Sequence, residues 1–162
     1  MYTSWKLFFA FILATVFYWA LSALLGGWGI NVNLMLVFAM AVCAVLKPEY
    51  GYPTAFLCGL FLDFFGVKLF GHQAFIFTLC AVIIYTFQNR LDLDSPVPQA
   101  ISTLVLVLLA DLCDLLFLKI FAGVSAWSSL GAFIGGLLLS AALAPIVFWA
   151  TKQWLAVKEK TY

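Results

Sequence analysis

Three aspartates stand inside apolar sequence in this chain, and they are its first candidates for chemistry. Asp63 lies in the stretch Gly59 to Gly71, G-L-F-L-D-F-F-G-V-K-L-F-G. Asp111 and Asp114 lie in Ala110 to Ala122, A-D-L-C-D-L-L-F-L-K-I-F-A. A carboxylate placed in hydrocarbon costs about 2.5–3.5 kcal/mol on insertion scales. Each therefore needs a proton, a hydrogen-bond donor or an opposite charge. The two stretches align so that Asp63 matches Asp114, Lys68 matches Lys119 and Phe70 matches Phe121. Asp111 and Asp114 are three apart and share one helical face.

Two readings are open for Asp63 and Asp111. In the structural one, each satisfies a nearby backbone donor or helix end, and an asparagine at 63 keeps the hydrogen bonds. In the functional one, they line an outward-facing polar cavity or an acidic docking surface. Asp114 reads as an interfacial residue that snorkels or pairs with Lys119, and His72 as a solvated loop histidine beside Lys68. The sequence holds one histidine, no Ser/His/Asp arrangement, no phosphate loop and no clustered metal ligands, so neither catalysis, cofactor nor metal is expected. Cys43, Cys58, Cys80 and Cys113 all fall in apolar runs and read as small buried hydrophobes.

These residues must be positioned by membrane helices. The chain has 162 residues, 66% hydrophobic and 9% charged, against about 25% charged in a soluble domain. That composition predicts an all-α integral membrane protein, and a net charge of +1 gives no reason to expect nucleic acid. Six spans are expected. The first, Leu7–Leu25, is preceded by Trp5 and Lys6 as interfacial anchors and is too long for a cleaved signal core. The second is Ile30–Leu46, opened by Asn31 and Asn33 and ended by Lys47-Pro48-Glu49. The third, Tyr52 to Phe65, is short for a crossing, with Pro53 in its first turn. The fourth is His72–Gln88, the fifth Gln99–Phe121, and the sixth Leu130–Trp149, with Pro145 expected to kink it. A basic tail, 152–162, follows, and the whole chain reads as one membrane domain.

Placing both termini in the cytoplasm puts Lys6, Lys47, Arg90, Lys152, Lys158 and Lys160 inside and only Lys68 and Lys119 outside, as the positive-inside rule requires. Asp63 and Asp111, roughly 11 and 12 residues into outward-running helices, then lie at one depth in the outer half. Gly59, Gly131 and Gly135 are small positions at which helices can approach closely, the last two spaced G-x-x-x-G.

The block Gly59-Leu-Phe-Leu-Asp63, followed by Gly66, Gly71 and Gln73-Ala74, resembles the rod shape-determining protein MreD family. Asn33-Leu34, Asp111, and Pro145 before the basic Lys152 tail fit the same layout. The resemblance implies a non-enzymatic, multi-pass scaffold of the bacterial inner membrane that supports cell elongation and peptidoglycan synthesis. Its implied partners are an MreC-like single-span periplasmic protein and, through it, a transpeptidase and a RodA-type glycosyltransferase, with an MreB-type cytoskeleton on the cytoplasmic side. Gly59, Asp63, Gly66, Lys68, Gly71, Asp111, Asp114, Lys119 and Pro145 are the candidate interface or polar-site residues. A competing reading is the small-molecule-binding subunit of an energy-coupling-factor transporter, which also has six spans and a pocket toward the outer face.

Overall fold

The computed structural model describes residues 2–66, 70–87, 95–122 and 130–155, and these are helical with no strand among them. Lys68, the Arg90 loop and the tail beyond Leu155 lie outside the described residues. Among the described residues six α-helices follow one another: α1 (Tyr2–Leu25), α2 (Leu34–Val45), α3 (Pro48–Phe65), α4 (His72–Phe87), α5 (Pro96–Phe117) and α6 (Leu130–Leu155). A 3₁₀ turn, Gly26–Trp28, follows α1, and a π-helical turn, Leu118–Ala122, continues α5.

The bundle is built around α2. Its sequence, L-M-L-V-F-A-M-A-V-C-A-V, is apolar on every face, and a helix of that kind belongs in a core. Every residue from Leu34 to Cys43 is buried, and α2 packs against all five other helices. With 12 residues it is about 18 Å long, well short of the ~30 Å hydrocarbon core. The expected span Ile30–Leu46 is therefore a short central helix, because residues 30–33 are spent on the connection into it rather than on helix.

Both ends of α2 are tied down by other elements. At its start the Asn33 N–H donates to Ser140 Oγ of α6 at 3.2 Å, and that hydroxyl donates to the Gly136 carbonyl at 2.7 Å. Asn33 makes no side-chain cap of its own. Just past its end the Tyr85 hydroxyl donates to the Leu46 carbonyl at 3.0 Å, with the ring lying over Gly51. A buried helix end otherwise leaves backbone groups unmet, so these two contacts stabilise α2 where it is.

Two helices, Trp5–Trp28 and Gly131–Leu155, are long and apolar enough to cross a membrane. The first is barely buried. Phe8, Phe9, Leu13, Val16, Phe17 and Trp19 are all more than half exposed, while Leu7, Ala10, Phe11, Ala14 and Tyr18 rest on the core. The last helix is longer than expected and runs continuously through Pro145. The third also starts earlier than expected: Pro48 takes its first turn, so Pro53 falls inside it.

Candidate functional site

α3 and α4 form a hairpin joined only by residues 66–71. Gly66 ends α3 in an extended conformation, its N–H donating to the Leu62 carbonyl at 2.8 Å. Gly71 precedes α4 with φ +90°, a conformation that other residues avoid. A glycine at that position has no side chain to cap the helix, and the first N–H groups of α4 would be orphaned.

Asp63 supplies the cap from the neighbouring helix. The Gln73 N–H donates to Asp63 Oδ1 and the Ala74 N–H to Asp63 Oδ2, both at 3.1 Å. Asp63 is only 5% exposed, and its carboxylate sits at the positive end of the α4 dipole. Gly59, one turn earlier on α3, makes the approach possible. A Cβ there would lie 2.5 Å from Ala74 Cα and 2.5 Å from the Gln73 carbonyl oxygen. The spacing G-x-x-x-D is thus one device: the glycine admits the first turn of α4, and the aspartate four residues on binds its N–H groups.

His72, the first residue of α4, stands between two carboxylates. Its Nδ1 is 3.2 Å from Asp63 Oδ1, and its Nε2 is 2.6 Å from Asp114 Oδ1 on α5. Gln73 Nε2 also donates to Asp114 Oδ1, at 3.3 Å. His72 is 6% exposed, so it is not a solvated loop histidine. The structure likewise sets Asp114 against His72 and Gln73, while Lys119 is exposed on the π turn. Asp111 lies one turn before Asp114 and is half-buried, and Pro145 is half-buried on α6. His72 thus joins Asp63 to Asp114, the two aligned aspartates of the sequence.

The histidine carried a signal in the sequence. A six-residue connection between antiparallel helices forces residues just before and just after it to be neighbours, and His72 follows Asp63 across such a connection. Chemically, both ring nitrogens are engaged within the fold, so the ring is not presented to a substrate as a base. Among the described residues no group of three or more His, Cys, Asp or Glu side chains converges to hold a metal ion. No family model matches the chain, and no curated protein or solved structure is significantly similar to it.

Proposed function

We propose that the protein is a multi-pass, non-enzymatic scaffold of a bacterial inner membrane, of the MreD kind, acting in cell elongation. The observation that carries this reading is the use made of Gly59-x-x-x-Asp63. The residues that bear the family resemblance are consumed in docking α4 onto α3, which suits a framework part better than an open binding site. In this reading the exposed apolar face of α1 meets lipid or a partner helix. The single-span MreC-like protein, and through it the transpeptidase and RodA-type synthase, assemble on the bundle. The cytoskeletal MreB-type protein lies on the cytoplasmic side.

Affinity purification of the full chain from its native membrane is the test. Co-purification of a single-span periplasmic protein with cell-wall synthases is expected. Recovery with an ATPase module instead would transfer the protein to the energy-coupling-factor class. The orientation is a separate expectation. With the basic loops inside, a cysteine introduced at position 90 should be inaccessible to a membrane-impermeant thiol reagent in intact cells, and one at 68 accessible. Labelling at 90 would reverse the topology.

A further inference from the structure

We propose that Asp63, His72 and Asp114 form a proton-binding site that latches α5 to the α3–α4 hairpin. The inference does not rest on the cell-elongation reading. It follows from counting hydrogens on two contacts. A neutral imidazole offers one N–H, and an ionised carboxylate is acceptor only. Here both ring nitrogens face carboxylate oxygens, at 3.2 and 2.6 Å. Asp63 already accepts backbone N–H groups on both its oxygens, so it takes the Nδ1–H of the ring. The Nε2–Asp114 line then needs a second proton, because a bare lone pair against a carboxylate oxygen at 2.6 Å is repulsive. The folded cluster thus holds one proton more than a neutral histidine and two carboxylates. That proton rests on Nε2 or on Asp114, and either way the cluster carries a net charge of −1.

The proton binds α5 in place. Asp114 is the only member of the trio on α5, and its contacts with His72 and Gln73 join that helix to the start of α4. Four residues past Asp114 the helix passes into the π turn Leu118–Ala122, an irregular winding that often accompanies functional sites. Losing the proton to water leaves like partial charges facing each other, and the end of α5 separates from α4. Asp114 is the exit, since its side chain is 17% exposed against 4% for His72 and 0% for Asp63. The ring meets Asp63 from α3 and Asp114 from α5, and Gln73 of α4 donates to the same Asp114 oxygen. α2 carries no Asp, Glu, His, Lys or Arg along Leu34–Val45.

The chain has a single histidine, so ¹⁵N-histidine labelling of the full protein in detergent reports His72 alone. The expected result at neutral pH is two protonated ring nitrogens. One protonated nitrogen together with a carboxylic-acid carbonyl band in the infrared, lost in Asp114→Asn, supports the site equally. One bare nitrogen and no such band overturns it. The latch is read by amide hydrogen exchange of residues 114–122 relative to 101–107 at the same pH, which removes the intrinsic pH effect. As alkali strips the second proton, protection of 114–122 should be lost in the wild type. It should be retained in Asp114→Asn, whose amide can either accept from Nε2–H or donate to a bare Nε2. Equal loss in both proteins, or proton loss without loss of protection, overturns the latch.

Discussion

Asp63→Leu is expected to insert into membranes at least as well as the wild type and yet to lose the fold. The two halves of that result have different origins. On insertion scales leucine is favourable by about 0.3–0.6 kcal/mol at a helix centre, where aspartate is unfavourable by about 2.5–3.5. The folded bundle, however, uses the carboxylate to receive the Gln73 N–H, the Ala74 N–H and the His72 ring. Leucine leaves one buried and one part-buried backbone donor unmet, at about 1–3 kcal/mol for a buried one and more where no water reaches it. Against a total stability of about 5–15 kcal/mol, that loss is decisive. Asp63→Asn is the informative variant. An amide has one acceptor oxygen where the site uses two, so it keeps one backbone bond and turns an NH₂ toward the other donor. Stability in detergent should therefore fall in the order aspartate, asparagine, leucine, with asparagine clearly below the wild type. An asparagine variant as stable as the parent would mean that a single acceptor suffices and that the two-oxygen cap is incidental.

The same geometry explains what the sequence could and could not disclose. A buried carboxylate announces itself by its improbability, so Asp63 was legible as a special residue. Its role as an acceptor for a helix end was one of the two open readings. What composition could not provide was the number of donors, two backbone N–H groups on two oxygens, which is why the structure sets asparagine below aspartate where the sequence set them level. α2 was legible as an apolar helix, but an all-apolar run reads alike whether lipid or protein surrounds it. Only the other five helices around Leu34–Cys43 distinguish the two. The glycines of α6 make the point at the scale of one residue. G-x-x-x-G spacing singles out Gly131 and Gly135, yet a Cβ at 131 meets nothing, and one at 135 makes ordinary contact with Ile30 at 3.5 Å. Gly136 is the position pressed against backbone, at the Asn31 carbonyl, with Ser140 four residues on receiving the Asn33 N–H. Neighbouring residues point about 100° apart on a helix of 3.6 residues per turn. Which of two adjacent glycines faces the contact is therefore set by the rotation of α6, which spacing does not encode. Notably, Gly136-x-x-x-Ser140 does for α2 what Gly59-x-x-x-Asp63 does for α4.

Gly59→Ala should destabilise the protein, although glycine-to-alanine changes inside helices ordinarily help. Helix propensity alone favours alanine by about 0.8–1.0 kcal/mol. At position 59 the added Cβ would meet Ala74 Cα and the Gln73 carbonyl oxygen at 2.5 Å, and the Ala74 nitrogen at 2.6 Å. Those are backbone atoms, which cannot rotate out of the way as a side-chain end can. Overpacking of this kind typically costs about 1–3 kcal/mol, and here it also pushes the first turn of α4 off the Asp63 carboxylate. The net change is therefore destabilising, and its sign is the diagnostic. Gly131→Ala, in open space, shows the propensity gain by itself. Gly135→Ala should be near neutral, and Gly136→Ala should fall with Gly59→Ala. Because Gly59 and Asp63 act on the same turn, Gly59→Ala combined with Asp63→Asn should lose less than the sum of the two single losses. Thermal denaturation of the purified variants in one detergent measures all of these. A Gly59→Ala protein as stable as Gly131→Ala would mean that α4 does not rest on this face of α3, and the cap, the histidine cluster and the latch would all have to be rebuilt on another contact.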